Sequence, residues 1–315
     1  MALHPTLMNR TSPVTRRRFF EQAGLATAAA LTLPVPLTHA LEPLQRPGRP
    51  RLKLSLAAYS FRDYFNHADP AQRLTLTAFM DYCADHGCDG TELTSYYFPK
   101  EVTPALLVAL KRHAFLRGLE VSGTAVGNNF ALPDGPERDR QIAHVKTWVD
   151  HAAQLGAPHI RVFAGDAKGM DKAAAMRQCI RALEDCGDYA SRHGIWLGLE
   201  NHGGIVSDVG DLLEIVRAVK SPWVGVNLDS GNFYSEADPY AEMARLAPYA
   251  VNAQLKVAIS RRGQAKLPSD LARVIQVLRD ANYQGYVALE YEEKDPRGEV
   301  PGWLERMKTA FAELR

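Results

Sequence analysis

Short apolar runs alternate with longer segments of helical periodicity along most of this 315-residue chain. Short runs rich in aliphatic and β-branched residues are typical of buried strands, and apolar residues every three or four positions are typical of helices. Eight runs predict strands, at 53–61, 88–94, 119–126, 159–165, 195–201, 223–229, 251–257 and 285–291. Helical patterns lie between them at 70–86, 103–117, 136–155, 171–193, 208–219 and 268–281.

The repeated order of strand, helix and turn predicts a parallel sheet whose strands are joined by right-handed crossovers. Turn signals such as "HGC", "RHGI" and "KSPW" stand before several of the strands. Eight such units favour an α/β fold of the (β/α)8 type, a TIM barrel in a single domain, over an open sheet. A doubly wound sheet normally carries a glycine-rich phosphate loop after its first strand, and "AAYSFRDYF" contains none.

The first forty residues have the pattern of a targeting signal rather than of a folded segment. The segment 15–20, "TRRRFF", precedes an Ala- and Leu-rich run at 23–37 and small residues near Ala40. This order resembles a twin-arginine export signal. The apolar run contains two prolines and is shorter than the roughly 20 residues that a membrane-spanning helix needs. We therefore expect a signal peptide at 1–40, a barrel at 41–315, a periplasmic or otherwise exported protein, and no stable membrane insertion after export.

Composition adds few constraints. The chain is 46% hydrophobic and 23% charged with a net charge of +1, which is typical of globular proteins and gives no argument for nucleic acid as a partner. Cys179 and Cys186 are seven residues apart on one predicted helix, about 10.5 Å by helical rise, which is too far for a disulfide. Cys83 and Cys88 are close enough in sequence to pair across a turn, but we expect all four cysteines to be buried free thiols.

Three of the predicted strands end on a carboxylate. "IWLGLE" ends on Glu200, "WVGVNLD" on Asp229, and "GYVALE" on Glu290. Burying an ionised carboxylate is costly unless a cation compensates it, and strand ends in a barrel meet on one face. On the seventh strand, Gln254 and Lys256 share a face because side chains alternate along a strand. Four neighbouring strands therefore offer one oxygen ligand each to a shared metal.

Each of these residues also has a purely structural explanation. A glutamate at a strand end is often a solvated rim residue or a helix cap, and Asp229 before Ser-Gly fits an Asx turn. Gln254 fits a hydrogen-bonded amide in the core. Four oxygen donors on adjacent strand ends favour the metal site when they are taken together.

The whole predicted mature chain resembles the xylose isomerase-like TIM barrels, a family with sugar isomerases, epimerases and endonuclease IV. The resemblance implies a metal-binding Glu, Asp, His and Glu on strands five to eight. Glu200, Asp229 and Glu290 match the first, second and last of these. Gln254 stands where the family commonly has His in an HxK pattern, and Asn232 stands where epimerases often carry His after the Asp.

The replacement of imidazole by an amide leaves three carboxylates and one amide oxygen as the implied ligand set. All-oxygen sites favour Mn²⁺ or Mg²⁺, with Co²⁺ also compatible, over Zn²⁺. We expect one divalent ion, Mn²⁺ first among these. Endonuclease IV activity is disfavoured, because it would require a histidine-rich cluster and His202 is the only histidine near the four positions. The sequence also lacks a basic stripe interleaved with aromatic residues that would follow a phosphate backbone.

A divalent cation beside two carboxylates suits proton abstraction next to a carbonyl, with an enediolate intermediate. By family analogy Glu200 and Glu290 are the catalytic pair, one as base and one as acid. The sequence thus predicts a metal-dependent sugar isomerase or epimerase, and the lack of an arginine cluster indicates an unphosphorylated carbohydrate. Two alternatives stay open: a lyase that cleaves 3-keto-glycosides by the same enolate chemistry, and a non-catalytic exported carbohydrate-binding barrel.

The remaining candidates are substrate-binding residues near the strand ends. A buried Glu92–Arg161 salt bridge is an equal alternative for that pair, Lys256 is suited to orienting a substrate oxygen, and "SYYF" at 95–98 fits either a sugar-stacking loop or a hydrophobic cap. The expected partner is a small carbohydrate, and a homo-oligomer is compatible with the sequence. The substrate-binding candidates are Glu92, Arg161, His202, Asn232 and Lys256.

Overall fold

Eight parallel strands close into a barrel in the computed structural model, which describes residues 41–235 and 238–313. The barrel strands are β1 (Arg51–Ala57), β2 (Gly90–Thr94), β3 (Glu120–Ala125), β4 (His159–Val162), β5 (Trp196–Glu200), β6 (Val224–Asp229), β7 (Ala250–Leu255) and β10 (Gln284–Leu289). A short antiparallel hairpin is formed by β8 (Ala258–Ile259) and β9 (Leu267–Pro268). Around the barrel the order is β1-β10-β7-β6-β5-β4-β3-β2. The predicted (β/α)8 TIM barrel is confirmed.

Helices connect the strands and surround the barrel. They are α1 (Arg62–Phe65), α2 (Leu76–Asp85), α3 (Pro104–Leu116), α4 (Pro136–Leu155), α5 (Lys172–Ser191), α6 (Val209–Ala218), α7 (Pro239–Leu246), α8 (Leu271–Asp280) and α9 (Pro296–Ala312). The apolar core lies between these helices and the outer face of the strands. On α4, for example, Ile142, Val145, Val149 and Ala152 recur at helical spacing and are buried in the same cluster as Leu197 of β5.

All eight predicted strands and all six named helices are found, with differences at their ends. The first strand is shorter than predicted, because β1 stops at Ala57 and the chain turns into a 3₁₀ helix at Ala58–Phe61. The hydrophobic pattern did not name α1, α7 or α9. The first of these is a single turn of four residues, whereas α7 and α9 are longer helices. Both begin at Asp-Pro, where the Asp238 and Asp295 side chains accept backbone N–H groups and proline occupies the first turn.

The inside of the barrel contains a polar layer rather than a purely apolar filling. Gln254 Nε2 donates to Glu92 Oε1 at 2.7 Å, and Asn227 Nδ2 donates to Gln254 Oε1 at 2.6 Å. Asn252 Nδ2 donates to Glu92 Oε2 at 3.1 Å and to Asn227 Oδ1 at 2.8 Å. His159 Nε2 lies 3.8 Å from Glu92 Oε2. A buried network with these mutual bonds fixes its members and the strand ends beyond them.

Two sequence predictions concern the rest of the chain. The export signal at 1–40 lies outside the described residues and stays a prediction. In the part of the chain that the structure describes, every helix is too short or too polar to cross a bilayer. The prediction for the cysteines is confirmed, since Cys83, Cys88, Cys179 and Cys186 are all buried and free.

Candidate active site

An ammonium group lies among three carboxylates at the carboxyl ends of β6, β7 and β10. Lys256 follows β7, and its Nζ is 3.1 Å from Asp229 Oδ2, 3.2 Å from Glu290 Oε2 and 2.8 Å from Glu292 Oε1. The Lys256 side chain is only 7% exposed. We call these four residues the lysine-centred cluster. Its compactness follows from the parallel barrel, which brings the ends of neighbouring strands together.

Glu200, the last residue of β5, is buried and is held by a different set of partners. Its Oε2 forms an ion pair with Arg161 Nε at 2.9 Å, and its Oε1 contacts His202 Nδ1 at 2.9 Å. Asn232 Nδ2 donates to Glu200 Oε1 at 3.4 Å and to Asp229 Oδ2 at 2.7 Å. Asn232 therefore joins Glu200 to the lysine-centred cluster.

The end of β6 is fixed on both sides of Asp229. The Asn201 side chain donates to the Asp229 carbonyl and accepts from its N–H, each at 2.9 Å. The Gly231 N–H donates to Asp229 Oδ1 at 2.6 Å, which is the Asx-type turn that the sequence also allowed. The carboxylate thus has one oxygen in the turn and the other directed at Lys256 and Asn232.

Burial and neighbouring charges separate the acid strengths of the carboxyl groups. Burial raises the pKa of Asp229 to about 7 and that of Glu290 to about 8; Lys256 opposes this, and nearby carboxylates add to it. Burial would also raise the pKa of Glu200, but Arg161 and His202 more than offset it and lower the pKa to about 2. Burial would lower the pKa of Lys256, but Asp229, Glu290 and Glu292 raise it well above its ordinary value. Lys256 therefore keeps its charge.

The structure departs from the expected ligand set at Gln254. Both ends of its amide are engaged in the polar layer with Glu92 and Asn227, so it does not join the carboxylates. The register between strands contributes to this: Gln254 pairs with Asp229 on β6 but with Ala288 on β10, two residues before Glu290, so it is level with only one of the two carboxylates. Two residues along a strand correspond to about 6.6 Å.

The side chains at this site do not fit a divalent ion. Within residues 41–235 and 238–313, no group of three or more His, Cys, Asp and Glu side chains is arranged to hold a metal. Asp229 and Glu290 direct oxygens at the Lys256 ammonium, and Glu200 is paired with Arg161. The side-chain oxygens that the sequence analysis predicted as Mn²⁺ ligands therefore contact cationic side chains and N–H groups of the chain itself.

One of the expected substrate-binding residues, Glu92, lies elsewhere. Glu92 is fully buried in the polar layer, and the alternative Glu92–Arg161 salt bridge does not form because Arg161 pairs with Glu200. Arg161, Asn232 and Lys256 lie at the strand ends as expected.

The loop after Glu200 explains the sequence "GLENHGG". His202 turns back to Glu200 with its side chain 54% exposed, and the chain then reverses through Gly203 (φ 107°) and Gly204 (φ 58°). A Cβ on Gly204 would lie 2.3 Å from the Gly165 carbonyl oxygen. The two glycines allow the β5 loop to approach the β4 loop closely while His202 stays beside Glu200.

Gly204→Ala is expected to destabilise the protein. Backbone strain at positive φ costs about 1–3 kcal/mol, and the clash with a backbone oxygen adds to it. The free energy of unfolding in urea measures the effect. Gly210→Ala on α6 is the control, because its Cβ meets nothing within 4 Å and alanine favours a helix. Equal stability of the two variants would contradict the assigned loop geometry.

A cavity of about 670 Å³ opens beside His202 between the loops that follow β3, β4 and β5. It lies within the ~300–1,000 Å³ range of small-molecule sites. Asn128, Asn129 and Gln141 contribute amide groups to its wall, and Phe163 packs against His202 with ring centroids 4.4 Å apart. The amides bond to the chain itself, as where Asn128 donates to the Phe163 carbonyl and accepts from its N–H, so they hold the loops around the cavity in place. The Phe163 ring lies between the Arg161 guanidinium and the His202 ring.

Sequence reasoning missed Glu292, Tyr234 and the role of Asn201. Glu292 was detectable, because it stands two residues after Glu290 and alternation brings it to the same side. The Tyr234 hydroxyl donates to Asn232 Oδ1 at 3.1 Å, but its loop position carried no signal. In the "SYYF" segment, Tyr97 stacks on Phe65 at 4.2 Å as part of a packed cap, whereas Tyr96 is 45% exposed.

Residues 80–310 match the family described as "Xylose isomerase-like TIM barrel". The chain belongs to this family. No curated protein matches the chain. Among solved structures, this xylose isomerase-like barrel is similar to a D-psicose 3-epimerase in the presence of D-fructose, at 18% identity over 82% of this chain and 97% of that chain, with a TM-score of 0.65.

Two further structures similar to this family member have different descriptions. One is the IOLI protein with a binding zinc atom, at 15% identity over 83% of this chain and 97% of that chain, with a TM-score of 0.66. The other is the probable 3-DHS dehydratase AsbF from Bacillus anthracis, at 19% identity over 81% of this chain and 98% of that chain, with a TM-score of 0.63. At these identities the likeness concerns the fold.

Proposed function

We propose that the protein is an isomerase or epimerase that moves a proton on the carbon beside the carbonyl group of an unphosphorylated carbohydrate. The observation that carries this proposal is the pair of buried glutamates at one end of the barrel, whose charged neighbours differ. Glu200 contacts the Arg161 guanidinium, whereas Glu290 shares the Lys256 ammonium with two other carboxylates. Membership of a family with sugar isomerases and epimerases agrees with it.

The two glutamates divide the proton transfer between them. Glu200 is the ionised member because of Arg161, so it takes the proton from carbon, and the electron pair of the C–H bond moves into the enediolate. Glu290 is buried and lies near the carboxylates of Asp229 and Glu292, which raise its pKa, so it is the group that gives a proton back. Return to the opposite face of the same carbon yields an epimer, and return to the neighbouring carbon yields an isomer.

The groups around Glu200 suit a polyhydroxy substrate. His202 is half exposed and bonds to Glu200 through Nδ1, so its second ring nitrogen is offered to a hydroxyl group at the edge of the cavity. The cavity also supports a second candidate, the lyase that cleaves 3-keto-glycosides, because it offers room for the leaving group beside His202, which contacts Glu200. Export through the predicted signal at 1–40 would go with an unphosphorylated sugar, since sugar phosphates are cytoplasmic intermediates.

The test is proton exchange with solvent. We expect the protein in deuterated water to introduce deuterium at a carbon beside the carbonyl of one or more sugars in a panel of free aldoses, ketoses and 3-keto-glycosides. NMR locates the deuterium and identifies the product. An epimer or isomer supports the first proposal, and a released aglycone supports the lyase.

Two variants make the exchange experiment specific. Glu290→Gln is expected to lose formation of the epimer or isomer, because the amide does not give a proton to the enediolate. Glu293→Gln, at the exposed pair with Lys266, is the matched control and keeps it. If the wild-type protein binds a sugar but exchanges no proton in any arm, it is a carbohydrate-binding barrel and both enzymatic proposals fail.

A further inference from the structure

The number of N–H donors on the Lys256 ammonium equals the number of carboxylates around it. An ammonium has three N–H donors and no acceptor, and three carboxylates lie around this one, from Asp229, Glu290 and Glu292, at 2.8–3.2 Å. A buried charge is tolerated when it is paired and hydrogen-bonded. The lysine-centred cluster satisfies the ammonium completely.

The backbone around Lys256 is built to keep the ammonium there. Its N–H donates to Ser230 Oγ at 2.8 Å, and a Cβ on Gly231 would lie 2.7 Å from both Cβ and Cγ of Lys256. Only glycine leaves room for the lysine stem to pass over the β6 loop at this point. The stem is therefore packed along one path, and the ammonium does not depend on a flexible surface rotamer.

The four residues that were predicted as metal ligands bond to other side chains of the protein. Gln254 is held by Glu92 and Asn227 in the layer below, and Glu200 is held by Arg161. Asp229 and Glu290 face Lys256 instead of an inorganic cation. Positive charge at the centre of the carboxylates is thus supplied by the chain.

We propose that the Lys256 ammonium replaces the divalent cation of this site, both as counter-charge of the carboxylates and as the group that polarises the substrate carbonyl. The second half rests on the proposed function. An ammonium acts as a point charge and hydrogen-bond donor, so a carbonyl oxygen that displaces the half-buried Glu292 from Lys256 would gain a charge-assisted hydrogen bond as it becomes an enediolate oxygen. Glu200 and Glu290 then carry the proton.

Metal titration tests whether Lys256 replaces the divalent cation as counter-charge, and this test does not require enzymatic activity. The full-length protein, dialysed against EDTA and then against metal-free buffer, is titrated with MnCl₂ in a calorimeter, and bound metal is measured by mass spectrometry after equilibrium dialysis. We expect no saturable binding to the wild type. We expect Lys256→Met to gain saturable binding of one Mn²⁺ per chain, because it removes the ammonium and leaves the carboxylates. Lys266→Met, an exposed lysine paired with Glu293, is the control and gains none.

Each outcome of the titration decides the proposal. Stoichiometric Mn²⁺ binding by the wild type that is lost in Asp229→Asn would overturn it, and so would a folded Lys256→Met that binds no Mn²⁺. If circular dichroism finds Lys256→Met unfolded, the titration of the wild type alone decides.

Proton exchange in deuterated water tests whether Lys256 polarises the substrate carbonyl. EDTA is expected to leave the wild-type exchange rate unchanged, and added MnCl₂ is expected to give no increase. Stimulation by Mn²⁺ would overturn the role of Lys256 in polarising the carbonyl. A wild type that exchanges no proton under any condition contradicts the proposed function, and with it the polarising role of Lys256, whereas the metal titration still decides whether the ammonium replaces the cation.

Discussion

Glu200→Gln is expected to lower turnover by about 10²–10⁴-fold while leaving the affinity for the sugar nearly unchanged. The amide has the shape of the carboxylate and still offers an oxygen to Arg161, so the pocket next to His202 keeps its form. It does not accept a proton from carbon, so the chemical step fails. Steady-state kinetics on the sugar that the wild type converts measures kcat and KM, and calorimetry measures affinity of the variant.

The matched control for Glu200→Gln is another buried glutamate. Glu242→Gln removes a carboxylate from α7, where Glu242 contacts Ser235 and lies outside the group of residues around Glu200 and Lys256. Turnover of this control should match the wild type. Wild-type turnover in Glu200→Gln would remove Glu200 from the mechanism, and loss of affinity with unchanged kcat would make it a binding residue instead.

The sequence was sufficient for the barrel because its signals are local. Strand length, helical period and turn residues each depend on a few neighbouring positions; all eight units repeat the strand pattern, and six of them repeat the helical one. Of the three helices that the pattern did not name, α7 and α9 also carry a local signal. Asp238-Pro239 and Asp295-Pro296 combine a side-chain cap with proline in the first turn.

The converging carboxylates could be predicted for a similar reason. Glu200 and Asp229 end their strands and Glu290 follows its own, and the parallel barrel brings such positions to one face whatever the loops do. Which cation they meet depends on the register between strands. Gln254 and Lys256 share one face of β7, so alternation did not distinguish them. The register between strands did, because Gln254 pairs with Asp229 on β6 but with Ala288 on β10, two residues before Glu290.

Long side chains were the other limit of prediction from sequence. Arg161 was expected either to pair with Glu92 or to bind substrate. Which acidic residue its side chain reaches depends on how the closed barrel places the neighbouring strands, and in the structure that residue is Glu200. In the structure Glu92 is instead taken up by Gln254 and Asn252. The two acidic residues therefore belong to different layers. Glu200 keeps a strong counter-charge from Arg161, and Glu92 supports the polar layer inside the barrel.

The same buried charges make Lys256 a determinant of stability as well as of chemistry. Lys256→Met is expected to lower the free energy of unfolding by about 3–5 kcal/mol, which is the typical cost of removing one partner of a buried ion pair. Methionine fills the path of the stem past Gly231 but leaves Asp229 and Glu290 buried without their cation. Urea unfolding in metal-free buffer, followed by circular dichroism, measures the loss.

Added Mn²⁺ should restore part of the stability of Lys256→Met, because a ligand that binds only the folded state stabilises it in proportion to RT ln(1 + [L]/Kd). The wild type should show no such gain. Lys266→Met is the matched control: its pair with Glu293 is solvent-exposed, and surface pairs contribute about 0–1 kcal/mol. If Lys256→Met were as stable as Lys266→Met, the carboxylates would need no cation, and Lys256 would be no more than a neighbour of the acidic residues around it.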